Sequence, residues 1–265
     1  MLDTLRFPRM IPDTSLIQLT DARSPAPKPP VPPVNPRPLP QSATARPFPS
    51  VMPNSTPHPT LVAAMSHVRF IALIGGSGSG KSWLAAKMRQ TFGHDAGLLS
   101  LDDFYQDLWQ LPADARDQVN FDDPAAIDWD ALREVLECLE RGEPARIPVY
   151  DFATHTRRAV TRPLAHTRLV VLDGLWLLHH DWLREKFAFS VFIDCPMEER
   201  LRRRVERDVR ARGRSEDSVI RQFVNHVQPM HELFVEPQRQ WATRCVISPL
   251  AENEQSELIA ACAES

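Results

Sequence analysis

Eight consecutive residues of the chain, GGSGSGKS at positions 75–82, combine glycines and serines with one lysine. They contain the pattern G-x-x-x-x-G-K-[ST]. Glycines at this spacing let the backbone turn so that successive N–H groups point at phosphate oxygens, the lysine reaches the β- and γ-phosphates, and the last hydroxyl binds Mg²⁺. We predict a phosphate-binding loop (P-loop) for a nucleoside triphosphate, formed by Gly75, Gly76, Ser77, Gly78, Ser79, Gly80, Lys81 and Ser82.

The elements around this loop predict how it is held. VRFIALI at 68–74 is typical of a buried strand, and the pattern after Lys81 is helical until Gly93. A glycine-rich turn without chemistry is the alternative, and the position between a strand and a helix argues against it.

Acidic residues follow three further apolar runs, GLLSLDDFY (97–105), LVVLDGLWLL (169–178) and FSVFIDC (189–195). Strands that alternate with helices predict a parallel sheet, in which the carboxyl ends of the strands meet at the edge that also holds the P-loop. We therefore expect Asp102, Asp103 and Asp173 to lie near the γ-phosphate. Capping of a helix or turn is the alternative role, and it is left open for Asp103 and Asp194 above all.

Composition narrows the class of protein. Of the 265 residues 43% are hydrophobic and 25% charged, and the formal net charge is -3, which argues against a nucleic-acid partner. No signal-peptide pattern or apolar run of about 20 residues is present, so we expect no membrane partner. The four cysteines include no C-x-x-C pair, which argues against a zinc site or a disulfide framework and favours the reducing cytoplasm.

Proline divides the chain into two unlike parts. Sixteen of the 25 prolines, and none of the nine glycines, fall in residues 1–60. Such a segment samples polyproline II conformations instead of packing into a core. We predict a disordered extension over 1–66, a globular domain over 67–250 and a tail or helix over 251–265. Weak binding of a partner through the PxxP spacings of the extension is left open.

Five segments carry a resemblance that the P-loop alone does not. In chain order they are LDDFY, VNFDDPAAIDWDAL, IPVYDFATHTRR, an arginine stretch ending in RARGR, and VIRQFVNHVQPMHELFVEP. From about Val68 to about Ile247 their order and spacing resemble the uridine kinase (uridine–cytidine kinase) family. The resemblance implies an α/β P-loop NTPase fold with three α/β/α layers, a central parallel sheet, a small β flap at about 145–163 and an arginine-rich lid at about 200–214.

The resemblance also implies the reaction, in which ATP phosphorylates the 5′-hydroxyl of uridine or cytidine in pyrimidine salvage. Asp102 resembles the general base, Lys81, Arg207 and Arg212 resemble the residues that act on the phosphates, and Ser82, Asp102 and Asp173 would hold Mg²⁺. Phe121 offers an aromatic surface, and Tyr150 and His155 resemble readers of the base. The implied nucleoside contacts are Tyr105, Phe121, Asp122, Tyr150, His155, Arg204, Arg214 and Gln222.

The stretch RLRRRVERDVRARGR at 200–214 holds eight arginines in fifteen positions. A nucleic-acid arm, a solvated helix face and a mobile lid are the three interpretations, and the interleaved acids argue against the first. A kinase must stabilise charge on the transferring phosphoryl group and exclude water, so we favour the lid. We expect Arg200, Arg202 and Arg210 to lie on its solvated, salt-bridged face.

Two features depart from the pattern of the family. The family usually has a glutamate at the position of Asp173, and SPLAENEQ lacks a glycine-containing turn, which leaves the adenine-side contacts unassigned. A kinase for another small-molecule alcohol, like phosphoribulokinase or pantothenate kinase, is one alternative function. A non-catalytic ATP-sensing regulatory module is another, and a homo-oligomer is left open.

Overall fold

The computed structural model describes residues 68–116 and 118–265. The predicted Pro-rich extension over 1–66 lies outside these residues. The strands are β1 (Arg69–Ile74), β2 (Ala96–Ser100), β3 (Ala145–Asp151), β4 (Thr156–Leu164), β5 (Leu169–Gly174), β6 (Phe187–Asp194) and β7 (Arg244–Ile247). The α-helices are α1 (Lys81–Phe92), α2 (Ala113–Arg116), α3 (Trp129–Glu140), α4 (Asp181–Arg184), α5 (Met197–Arg212), α6 (Glu216–Gln222), α7 (Gln228–Met230) and α8 (Glu252–Glu264).

Shorter helical turns complete the chain. The 3₁₀ turns are Gly93–Asp95, Leu101–Phe104, Pro124–Ala126 and Glu236–Trp241, and π turns cover Phe223–Val227 and His231–Val235. In the described part of the chain no helix combines the length and the apolar character that crossing a bilayer requires. All four cysteines lie in that part and are free thiols.

A five-stranded parallel sheet forms the centre of the fold, in the order β2-β5-β1-β6-β7. β3 and β4 pair with each other as a separate antiparallel hairpin, at the position predicted for the flap. The chain returns to the sheet through helices between most strands, as right-handed crossovers of parallel strands require. The predicted central parallel sheet is confirmed.

The core has two halves, one on each face of the sheet. Along β1, Phe70, Ala72 and Ile74 point to the face covered by α3, whereas Ile71 and Leu73 point to the face covered by α1 and α8. Successive side chains of a strand alternate between faces, so a strand buried on both sides must be apolar throughout. This packing gives the three α/β/α layers that were predicted.

A glycine fixes the distance between the ends of β2 and β5. A Cβ atom on Gly174 would lie 2.6 Å from Cβ of Leu101, which no side chain tolerates. The absence of a side chain at Gly174 therefore lets the turn after β2 pack directly on the end of β5. Asp102 and Asp173 are brought to the same edge of the sheet by this contact.

Arg157 makes several of the contacts that attach the hairpin to the rest of the domain. Arg157 on β4 donates to the carboxylate of Asp128 (2.9 Å) and to the carbonyls of Tyr105 (3.0 Å) and Phe104 (3.3 Å). Asp128 also caps α3, because its second oxygen accepts from the N–H of Ala131 at 3.0 Å. One carboxylate thus joins the hairpin, the helix and the segment after β2.

We expect Asp128→Ala to lower the free energy of unfolding by about 1–2 kcal/mol, because it removes a helix cap and leaves Arg157 without its carboxylate. Asp128→Asn, which can still cap, should lose less. Urea denaturation of the full chain measures both. Asp130→Ala, an exposed acid of the same helical turn, is the matched control, and its effect should stay within about 0.5 kcal/mol. Equal losses in the two alanine variants would contradict the prediction.

Candidate active site

The P-loop connects β1 to the first turn of α1 and folds around its own lysine. Nζ of Lys81 donates to the carbonyl oxygens of Gly75 (2.7 Å) and Gly76 (3.0 Å). Gly78 has a φ of 85°, and a Cβ there would lie 2.5 Å from the carbonyl oxygen of Arg200 in α5. Glycine is therefore required at this position by both the backbone conformation and the packing of the loop against α5.

Two carboxylates face the P-loop from neighbouring strands. Asp173 lies near the end of β5 and accepts a hydrogen bond from the hydroxyl of Ser82, the residue after the P-loop lysine. In the register of the sheet Asp173 pairs with Ser100, and Asp102 follows two residues later in the turn after β2. The sheet thus brings Asp102, Asp173 and Ser82 together, as the sequence predicts.

The charges of this edge shift one another's titration. Burial lowers the pKa of Lys81 to about 8, although the nearby carboxylates of Asp173 and Asp102 oppose the shift. The Asp102 carboxylate is reached by solvent through the cleft, yet protein surrounds it on the other sides. This enclosure, and then the charge of Asp173, raise the pKa of Asp102, while Lys81 lowers it. Both groups are thereby moved toward neutral pH.

The same residues suit a divalent cation. Two carboxylates and one hydroxyl converge beside the P-loop, and in the described residues no group of three or more His, Cys, Asp or Glu side chains forms a metal cluster. Mg²⁺ that arrives with a nucleotide keeps several waters and takes only about one or two protein carboxylates. Ser82, Asp102 and Asp173 therefore fit Mg²⁺ bound to a nucleotide.

One cleft of about 1280 Å³ joins the P-loop to the hairpin. The predicted catalytic, phosphate and metal residues that line it are Ser77, Gly78, Gly80, Lys81, Ser82, Asp102, Asp173, Arg207 and Arg212. All predicted nucleoside contacts line it as well, namely Tyr105, Phe121, Asp122, Tyr150, His155, Arg204, Arg214 and Gln222. The other P-loop residues, Gly75, Gly76 and Ser79, do not line the cleft; Ser79 is fully buried beneath the loop.

Aromatic rings form the wall of the cleft opposite the P-loop. Tyr105 packs against Tyr150 and Phe121, with ring centroids 5.3 and 5.5 Å apart. His155 stacks on Phe121 at 4.3 Å. The backbone of His155 has a φ of 55° in the turn of the hairpin, a conformation that is uncommon for residues other than glycine. The turn thus holds the imidazole parallel to the phenyl ring.

Two arginines and one amide close the cleft on the side of α5 and α6. Arg204 donates to the hydroxyl of Ser77 (2.8 Å) and to Oε1 of Gln222 (3.0 Å), and Arg214 donates to the same oxygen at 2.6 Å. Burial raises the pKa of Asp122, and the charge of Arg204 opposes that shift. Four of the predicted nucleoside contacts, Asp122, Arg204, Arg214 and Gln222, therefore lie at one end of the cleft.

The prediction for Arg200 is wrong. Arg200 is only 2% exposed, and it donates to the carbonyl of Cys195 (3.1 Å) and to Oε1 of Gln228 (2.6 Å). Because α5 packs along the P-loop, position 200 faces the protein and not the solvent. Arg202 and Arg210 are exposed and pair with acids of the same helix, as predicted.

The expectation that Asp103 lies near the γ-phosphate is also wrong. Its carboxylate pairs with Arg162 of β4 at 3.0 Å, and Asp103 is absent from the lining of the cleft. Consecutive residues of a 3₁₀ turn point about 120° apart, so only one of the two aspartates can face the P-loop. Asp194, for which a capping role was left open, pairs with Arg239 at 2.9 Å.

Three residues of the site had no role predicted from the sequence. Arg157 attaches the hairpin, and Arg203 donates to the hydroxyl of Ser248 at 3.0 Å and to the carbonyl of Gly78 at 3.3 Å. Asp208 is fully buried among arginines of the stretch 200–214. A signal for Asp208 was present in the sequence, because it lies one helical turn from arginines on both sides.

Comparison with known proteins agrees with this geometry. The model of the phosphoribulokinase / uridine kinase family matches residues 70–255. A uridine kinase of Deinococcus deserti is 41% identical over 179 residues, which is 66% of this chain and 86% of that protein. A uridine kinase of Staphylococcus aureus strain JH9 is 37% identical over 179 residues, which is 67% and 86% of the two chains.

A solved structure with the same fold is D-glycerate 3-kinase from Cryptococcus neoformans var. grubii. It is 17% identical, has a TM-score of 0.53, and covers 68% of this chain and 86% of that chain. At this identity the likeness concerns the fold alone. The family match and the two relatives confirm the resemblance found in the sequence: this chain is a P-loop kinase that belongs to the phosphoribulokinase / uridine kinase family.

Proposed function

We propose that this kinase transfers the γ-phosphoryl group of ATP to the 5′-hydroxyl of uridine or cytidine. The observation that carries the proposal is the single cleft in which the P-loop, Asp102 and the aromatic wall meet. Flat aromatic rings suit a nucleobase, which they can contact over its whole face. The relatives named uridine kinase, at 37% and 41% identity, support this class of acceptor.

Polar groups along the aromatic wall support a nucleoside in particular. The hydroxyl of Tyr150 is buried and has no hydrogen-bond partner within the described residues, and burial raises its pKa to about 12. A buried donor of this kind is costly unless a ligand pairs with it. The Asp122 carboxylate can accept from ribose hydroxyls. We assign the base to Phe121, Tyr150 and His155, and the ribose to Asp122.

The proposed chemistry places Asp102 beside the attacking oxygen. The 5′-hydroxyl oxygen attacks the γ-phosphorus, the bond from that phosphorus to the β–γ bridging oxygen breaks, and Asp102 takes the hydroxyl proton. Lys81, Arg207 and Arg212 face the phosphates and stabilise the charge on their oxygens. Mg²⁺, held by Ser82, Asp102 and Asp173, would neutralise phosphate charge.

A panel of acceptors tests the proposal. ADP release and product identity are measured with uridine, cytidine, ribulose 5-phosphate, pantothenate and D-glycerate. We expect kcat/KM to be highest for a pyrimidine nucleoside. A higher value for one of the other alcohols would overturn the assignment in favour of a different small-molecule kinase. Binding of ATP without transfer to any acceptor would favour a regulatory ATP-binding module.

Asp102→Asn keeps the shape of the side chain but cannot accept the proton, so kcat should fall by about 10²–10⁴-fold while nucleoside binding survives. Steady-state kinetics and equilibrium titration with uridine measure the two effects. The matched control is Asp103→Asn, whose carboxylate pairs with Arg162 outside the cleft. If both variants lost the same activity, Asp102 would have no special role in proton transfer.

The dependence of kcat/KM for ATP on pH should reflect the protonation of Lys81 and Asp102. Lys81 is charged below its pKa of about 8 and neutral above it, so kcat/KM for ATP should fall as pH rises through about 8. The raised pKa of Asp102 should place the acid limb above the ordinary aspartate value of 3.8. Lys81→Arg, which stays charged, should be slower and lack the alkaline limb. An alkaline limb unchanged in Lys81→Arg would assign it to another group.

His155→Ala removes a ring that stacks on Phe121 and a hydrogen-bonding group beside the base. We expect the loss mainly in KM and in the preference between uridine and cytidine, by about 1–3 kcal/mol. Initial rates with both nucleosides measure it. His94→Ala, at an exposed position after α1, is the control. An unchanged KM and an unchanged preference in His155→Ala would show that His155 does not read the base.

A further inference from the structure

Asp208 stands apart from the other acids of α5 by its burial. Its side chain is 0% exposed, whereas those of Glu199 and Glu206 are 29% and 54% exposed. Its backbone carbonyl also accepts from the N–H of Arg214 at 3.3 Å, so the chain folds back on α5 at this residue. A buried carboxylate is costly unless it is paired, which makes its partners informative.

Four arginines surround the Asp208 carboxylate, and its two oxygens divide them into two pairs. Oδ1 lies 2.8 Å from Nε of Arg207 and 3.5 Å from Nη1 of Arg212. Oδ2 lies 3.7 Å from Nε of Arg204 and 3.7 Å from Nη1 of Arg214. The first pair is the one proposed to face the phosphates. The second pair is the one that meets at Gln222 in the acceptor end of the cleft.

Even with the charge of Asp122 near Arg204, two negative charges cannot neutralise four positive ones, so the cluster keeps an excess of positive charge toward the cleft. The guanidinium groups repel one another, and each long side chain gives up rotamer freedom to stay in place. Phosphates that bind to Arg207 and Arg212, the arginines at Oδ1, would relieve this repulsion. Arg204 and Arg214, the arginines at Oδ2, would then be held more firmly at the acceptor end, because both pairs of arginines share the carboxylate of Asp208.

We propose that Asp208 is a positioning residue that couples the two ends of the cleft, so that binding of the donor phosphates strengthens binding of the acceptor, and the reverse. The proposal rests on the proposed function for the identity of the two ligands. It assigns Asp208 no contact with substrate. Reciprocity is required, because a coupling free energy between two sites acts equally on both.

The experiment compares wild type, Asp208→Asn and the matched control Glu206→Gln, which alters an exposed acid of the same helix. Calorimetry measures the affinity for the β,γ-imido analogue of ATP with Mg²⁺, with and without saturating uridine. In wild type and Glu206→Gln we expect uridine to strengthen analogue binding by about fivefold or more. In Asp208→Asn the ratio of the analogue affinities with and without uridine should fall to near 1. The reverse titration, which measures uridine affinity with and without the analogue, should give the same ratio in each protein.

The ratio separates coupling from a purely structural role. If Asp208 only supported the fold, Asp208→Asn would lower the melting temperature or weaken each ligand alone while the ratio stayed at the wild-type value, and the proposal would be overturned. Should Asp208→Asn fail to fold, Arg212→Gln replaces it, because Arg212 is 43% exposed and its loss leaves Asp208 in place. That variant should also lower the ratio, and an unchanged ratio would overturn the proposal.

Measurements on the same three proteins distinguish failure of the coupling role of Asp208 from failure of the proposed function. A wild-type chain that phosphorylates no pyrimidine nucleoside overturns the proposed function. The coupling ratio is then measured with the alcohol of the panel that is phosphorylated, and its loss in Asp208→Asn supports the role of Asp208 all the same. If no alcohol alters the affinity of the wild-type chain for the analogue, the role of Asp208 is overturned as well.

Discussion

The register in which β1, β5 and β2 pair sets the positions of the P-loop, of Asp173 and of the turn that carries Asp102. Leu73, Asp173 and Ser100 lie at one level of the sheet. Parallel strands end at the same edge, so the loops that follow them start side by side. Pairing of these three strands therefore brings together the P-loop after β1, the carboxylate of Asp173 and the turn that carries Asp102.

Charge of opposite sign approaches this edge from two sides. The sheet contributes carboxylates, and α5 contributes guanidinium groups that only partly pair with acids of their own helix. A polyphosphate with its cation is complementary to such an arrangement, because the cation matches the carboxylates and the phosphate oxygens match the arginines. At this edge Asp173 accepts a hydrogen bond from the hydroxyl of Ser82.

The positions of Tyr150 and His155 depend on how firmly the hairpin is held. Arg157 and Arg162 of β4 reach the segment around the turn after β2, and Arg116 donates to the carbonyl of Thr154 in the hairpin turn at 3.0 Å. These contacts order the turn that carries His155. Tyr150 and His155 thus lie on the hairpin, whereas the P-loop and Asp102 lie at the sheet edge, and side-chain contacts to carboxylates and to a backbone carbonyl hold the hairpin in place.

The P-loop and the central parallel sheet could be predicted from the sequence, because they follow from local patterns: glycine spacing, apolar runs of strand length and acids at their ends. The family was predicted from the resemblance of five longer segments in their order and spacing. The same local patterns do not predict which of several like residues faces the cleft. Asp102 and Asp103 are neighbours of identical chemistry, and only the packing of their turn on Gly174 turns one toward the P-loop. The burial of Arg200 could likewise not be predicted, since seven arginines are spread along the one helix α5. Tertiary packing of α5 against the P-loop determines which face of the helix is buried. A charged side chain can be buried only where it is paired or hydrogen-bonded.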